Sequence, residues 1–134
     1  APFRALADLP MAMTAHIRFT AIDDAPATAS GPVIDLIRRD LGFDGLLMSD
    51  DIGMQALSGS MAERAAAIIG AGCDLVLSCN EDIAQMETIV AASGAMSAKA
   101  VQRGEAALAL RRLPALADAG ELRAELAALG GLAA

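Results

Sequence analysis

The sequence predicts an α/β fold of parallel strands joined by helices, and three observations carry that prediction. Three largely apolar runs, Met11 to Ala15, Leu46 to Met48 and Asp74 to Ser78, each stop on polar groups: His16, the pair Asp50 and Asp51, and Asn80. A helix-start signal follows each run. The segment Gly42 to Asp50 (GFDGLLMSD) aligns with Gly72 to Asn80 (GCDLVLSCN) at an offset of 30 residues, the size of one strand-plus-helix unit. When helices join parallel strands, successive strand ends fall on one side of the sheet, where such folds keep their ligands. His16, Asp50 and Asn80 are therefore expected at one mouth.

The elements follow in order. Residues 1–6 (APFRAL) read as the middle of a helix or loop with no initiator Met, so the chain is expected to start inside a larger protein. Pro10 fits only the first position of a strand, because it cannot donate to the ladder. Ile17 to Thr28 is a loop rich in turn residues. Ser30 is the expected N-cap of a helix with Pro32 in its first turn. Val33, Ile34, Ile37 and Leu41 form its apolar stripe, Asp35, Arg38, Arg39 and Asp40 its wet face, and Gly42 its end. After the central strand, Ile52 to Gly59 is a loop of the kind that lines a site. Ser60 and Glu63 form a capping box opening a helix through Ile69, closed by Gly70 to Gly72. Asn80 is expected to cap a helix starting near Glu81, with Ile83, Met86, Ile89 and Val90 inward. A longer helix over 97–112, broken at Leu113-Pro114, and a weaker one over 118–129 complete the chain.

Composition narrows the function classes. At 134 residues the chain is about one domain, taken as a single unit over 1–134. Hydrophobic residues make up 55% but aromatics only 2%, so Ala, Leu, Ile, Val and Met must build the core. A net charge of −7, with Lys99 the only lysine, leaves no basic stripe and no aromatic platform for nucleic acid. No apolar run approaches the ~20 residues of a membrane span, and no signal peptide is visible, so a cytoplasmic protein without a membrane partner is expected. Cys73 and Cys79 read as two buried free thiols, not as a disulfide. One His and two Cys are too few for a metal site, and no cofactor is expected.

Asp50 and Asp51 are the first candidates for chemistry. A carboxylate at a strand's mouth serves as a glycosidase nucleophile, a metal ligand or a phosphoacceptor, and it also serves as a simple cap of the next segment. The residues alone leave these readings open.

A resemblance separates them. Phe43 to Met54 (FDGLLMSDDIGM) resembles the strand-six signature of family-three glycoside hydrolases, in the β-N-acetylglucosaminidase type of bacterial cell-wall recycling. Met13-Thr14-Ala15-His16 resembles that family's strand-five segment, and Ala71 to Asn80 (AGCDLVLSCN) its strand-seven segment. The three occur in the family's order and spacing and cover most of residues 3–95. The resemblance implies the C-terminal part of a (β/α)8 TIM barrel, about three βα units plus C-terminal helices, with the N-terminal strands absent. It implies a retaining β-N-acetylhexosaminidase acting on terminal GlcNAc of peptidoglycan-derived muropeptides. Asp50 would be the catalytic nucleophile, with Asp51 and Ser49 as structural, orienting neighbours. His16 would line the pocket or steady the residues that do, and Asn80 has equal claims to touching the sugar and to capping its helix.

The chain also departs from the family. The resemblance implies a His–Asp acid/base dyad on a loop after an earlier strand, and nothing like the associated Lys-His-Phe-Pro-Gly-His-Gly segment occurs here. The sugar-binding residues of the first four strands are absent too. An inactive chain is therefore expected, one that needs the missing half-barrel or self-association to cover its edges. Two other readings stand beside it. One is a non-catalytic binding or scaffold fragment. The other is a receiver-like signalling module, against which the only lysine, Lys99, sits in helical sequence instead of at a strand end.

Overall fold

The computed structural model describes residues 2–112 and 118–130. After a short helix α1 (Pro2–Ala5), strand β1 (Met11–Met13) leads to a 3-10 turn (Ala27–Ala29) and helix α2 (Gly31–Asp35), which runs on into a π turn (Leu36–Asp40). Then come β2 (Leu46–Asp51), α3 (Met61–Ala71), β3 (Leu75–Leu77), α4 (Ile83–Ser93), α5 (Ala98–Ala109) and α6 (Ala119–Gly130). The three strands form one parallel sheet in the order β1-β2-β3, with Met11 opposite Leu46 and Met48 opposite Leu75. The expected break at Leu113-Pro114 lies outside the described residues.

Local signals explain the helices. Ser30 Oγ accepts the Val33 N–H, and Ser60 with Glu63 forms a reciprocal capping box. Each such cap is worth about 1 kcal/mol. Gly42 (φ 77°) and Gly72 (φ 110°) occupy equivalent places in the 30-residue repeat, each carrying the backbone from a helix toward a strand in a left-handed conformation that suits only glycine.

The sheet has two unlike faces. Leu47 sits in the core with Ile34, Phe43, Ile52, Leu57, Ala65, Ile68, Cys73 and Ile89, and Ala12 and Val76 pack against it. Full burial of Leu47, Ile52 and Ile68 contributes about 1.5–3 kcal/mol each. The alternate residues leave the sheet on the other side, and there Met11 and Met13 are 41% and 52% exposed. An apolar sheet with helices on one face only is what a barrel wall looks like when its interior is open to view.

Four expectations need correction. Arg38 does not belong to the wet face: the π turn inserts a residue and rotates it by about 100°. Its guanidinium points under the sheet, donating to Phe43 O, Gly45 O and Asp74 Oδ2 at 3.2, 2.7 and 2.6 Å. Asn80 is not the cap of α4; Asp82 and Gln85 form the capping box, so the helix starts later. Of the four apolar positions on α4 only Ile89 is buried, while Ile83 and Val90 are 76% and 70% exposed because no described element covers that stripe. Cys73 is buried as expected, but Cys79 is exposed, having passed the end of β3 into the loop.

A candidate active site at the strand ends

β2 carries the site. It is the central strand, and it runs two residues beyond Ser49 so that both carboxylates belong to the sheet. Between Met48 and Asp51 it spends three steps where β3 spends two, from Leu75 to Leu77. Such a bulge bends a strand and re-aims its side chains, and here it falls on Ser49 and Asp50. The wholly buried Ser49 fills the gap: its Oγ accepts the Leu77 N–H at 2.9 Å, in place of a ladder carbonyl.

The two carboxylates have different surroundings. Asp50 is half-buried, and Oδ1 accepts the N–H of its own neighbour Asp51 at 2.8 Å. Asp51 turns into the structure, where Oδ1 accepts Gly53 N–H at 3.1 Å and Cys79 N–H at 3.2 Å, tying the end of β2 to the loop after β3.

His16 meets the same strand end from β1. Nε2 lies 2.9 Å from the Asp51 carbonyl, and Nδ1 lies 3.0 Å from Thr28 Oγ1. Thr28 Oγ1 in turn lies 2.8 Å from Thr14 Oγ1. Asn80 is exposed at the end of β3, with its N–H donated to Glu81 Oε2 at 3.2 Å. His16, Asp50, Asp51 and the loop bearing Asn80 are thus brought to one end of the sheet, linked through Asp51.

Sequence reasoning missed Glu81, a carboxylate only 9% exposed, which accepts the Ser78 hydroxyl and crowds the backbone of Gly53. A Cβ on Gly53 would meet Glu81 Oε1, so a side chain there requires the Glu81 carboxylate to shift. The Ser78-x-x-Glu81 spacing was a legible sign of this contact. Thr28 had no such sign, since it meets Thr14 across 14 residues. Asp44 and Asp74 lie at the other end of the strands, bound to Arg103, Lys99 and Arg38. The described residues contain no cluster of three or more His, Cys, Asp or Glu able to hold a metal ion. A cleft of about 370 Å³ beside Asp44 and Arg103 and another of about 450 Å³ between β3, α4 and α5 both exclude Asp50.

The chain is similar to known glycosidases. Over 84 residues the chain is 50% identical to a β-hexosaminidase of Alkalilimnicola ehrlichii, covering 59% of this chain and 24% of that protein. Over 89 residues it is 43% identical to a β-hexosaminidase of Bordetella pertussis, covering 63% and 25%. The chain therefore spans about a quarter of the length of these curated relatives. Among solved structures, a glycoside hydrolase family 3 β-N-acetylglucosaminidase from Paenibacillus sp. superposes with a TM-score of 0.69 at 30% identity, over 90% of this chain and 27% of that one. The β-N-acetylglucosaminidase from Thermotoga maritima gives 0.62 at 29% identity, over 76% and 25%. The profile of the glycosyl hydrolase family 3 N-terminal domain matches residues 1–113, so the chain belongs to that family and its three βα units are part of a TIM-type barrel.

Proposed function

We propose that this chain supplies the nucleophile-bearing part of a cytoplasmic retaining β-N-acetylhexosaminidase that removes terminal GlcNAc from peptidoglycan-derived muropeptides. Asp50 is the nucleophile. One of its oxygens attacks the anomeric carbon as the bond to the aglycone oxygen breaks and a general acid protonates that oxygen. Water then hydrolyses the glycosyl ester, and two inversions give net retention. Asp51 orients the strand end, and His16 and Asn80 border the mouth.

The observation that carries this reading is the unlike treatment of the two carboxylates. Asp51 accepts two backbone N–H groups, one of them from Cys79 across 28 residues, whereas among the described residues Asp50 accepts only the N–H of its neighbour. A nucleophile has to be held yet not consumed by its holders. The resemblance places the proton donor on a His–Asp dyad that this sequence does not contain, and the chain's one histidine is engaged at both ring nitrogens. The exposed Met11 and Met13 mark the face that a closed barrel would enclose.

That same lack of a donor favours a second reading, a non-catalytic scaffold fragment. Hydrolysis of an aryl GlcNAc, measured with the chain alone and after mixing with a polypeptide carrying the missing strands, separates the two. Activity only in the mixture is expected. Activity of the chain alone would refute the need for a partner half, and none in the mixture would favour the scaffold.

A further inference from the structure

His16 sits between two hydroxyl-bearing residues and the strand end, and the chemistry of its partners orders every proton among them. The Asp51 carbonyl can only accept, so Nε2, 2.9 Å away, carries the hydrogen. In the neutral ring Nδ1 is then an acceptor, and the hydroxyl 3.0 Å from it, Thr28 Oγ1, donates. Having given its one hydrogen to the ring, Thr28 Oγ1 must accept from Thr14 Oγ1 at 2.8 Å, and the longer 3.4 Å approach of Thr14 to Met48 O goes unused. Thr14 and Thr28 are both buried, so water does not compete for these bonds. The chain runs Thr14 to Thr28 to His16 to the Asp51 carbonyl, joining β1, the 3-10 turn and the end of β2.

We propose that His16 is a positioning residue that acts through the Asp51 carbonyl, which fixes its Nε2–H tautomer while the Thr28 and Thr14 hydroxyls hold the ring, and does not contact the saccharide. The proposal rests on the reading of Asp50 as nucleophile. The carbonyl that His16 grips belongs to the peptide unit after Asp51, and the N–H on the other side of that same residue holds Asp50 Oδ1, so the grip and the hold flank one α-carbon. Loosening this grip lets Asp50 wander from the line of attack, and small misplacements of a reacting group carry large rate penalties. A ring engaged at both nitrogens has no polar atom left to offer a sugar.

Because His16 is the only histidine, nitrogen NMR of the imidazole reads one signal set. The wild-type chain is expected to show the Nε2–H tautomer, and Thr28→Val to keep it, because the Asp51 carbonyl remains. Hydrogen exchange at Gly53 and Cys79, whose N–H groups reach Asp51 Oδ1, is expected to speed about tenfold in His16→Leu. His16→Gln keeps a donor near the Nε2 position and is expected to stay near wild type. In the mixture with the missing strands, trapping by a 5-fluoro GlcNAc fluoride should slow about tenfold in its first-order rate in His16→Leu. Its half-saturation should be unchanged, and His16→Gln should recover the rate. A changed half-saturation with an unchanged rate would overturn the proposal in favour of direct sugar contact. An Nδ1–H tautomer, or strand-end amides as slow in His16→Leu as in wild type, would also overturn it. If no protein is trapped, the Asp50 reading fails, and the tautomer and exchange data still decide the role of His16.

Discussion

Replacing Ser49 with alanine is predicted to destabilise the chain by about 2 kcal/mol, although only one oxygen is removed. The side chain is wholly buried and its Oγ accepts the Leu77 N–H at 2.9 Å. At the bulge, β2 spans Met48 to Asp51 while β3 spans Leu75 to Leu77, and the serine stands in for the missing ladder acceptor. Alanine keeps the methylene and leaves the N–H without a partner, and an unsatisfied buried donor costs about 1–3 kcal/mol. Urea slopes of about 1–3 kcal/mol per molar convert this into a midpoint shift of about 1 M. Circular dichroism is the suitable probe, because the chain has no Trp or Tyr to report by fluorescence. Hydrogen exchange at the Leu77 amide gives the local readout, with the exposed Ser58→Ala as control. A midpoint within error of wild type together with unchanged exchange at Leu77 would refute the reasoning.

Three further predictions follow from neighbouring contacts. Gly53→Ala forces the Glu81 carboxylate to move away from the added carbon; it should cost about 1–3 kcal/mol, and adding Glu81→Ala should recover about 1 kcal/mol in a double-mutant cycle. Simple additivity would contradict that contact. A thiol reagent should modify one cysteine per native chain: Cys79 is exposed, while burial pushes the Cys73 thiol up to about 11. Partial desolvation and the nearby Asp51 and Glu81 carboxylates raise the Cys79 thiol, so its reaction should speed as pH rises; equal reaction of both cysteines in the native chain would contradict this. Hydrogen bonds from Arg103 and then Lys99 hold the Asp44 carboxyl below its ordinary 3.8. A lowered folded-state value stabilises above the unfolded value and is lost as pH falls through the folded one, so the deficit of Asp44→Asn should be full near neutrality and shrink below about pH 4. A deficit that stays constant across that window would contradict the pairing.

What the sequence made legible was short-range. Ser30, Ser60 with Glu63, Gly42 and Gly72 act within one turn of their own position, and the structure keeps each where the local pattern put it. The strand ends were also legible, because an apolar run that stops on acid has few other places to go. Arg38 was misread because a π turn changes the helical period partway along, which a fixed stripe cannot anticipate. Asn80 was misread because two capping patterns overlap within three residues and the stronger, Asp82 with Gln85, took the helix. Of the candidate site, Asp50 and Asp51 were expected at a strand end, and the structure has them at the end of β2. Their unlike surroundings were not visible, since they depend on Cys79 N–H arriving from 28 residues away and on His16 from 35. The hydroxyl chain through Thr14 and Thr28 joins residues that share no local pattern at all.

The central claim is that Asp50 attacks the sugar, and one measurement tests it most directly. The chain, mixed with a polypeptide carrying the missing strands, is treated with a 5-fluoro GlcNAc fluoride, and the adduct is located by intact and peptide mass spectrometry. A single adduct on Asp50, lost in Asp50→Ala and retained in Asp51→Asn, is the predicted result. An adduct on Asp51, or none in the complete mixture, would contradict the account.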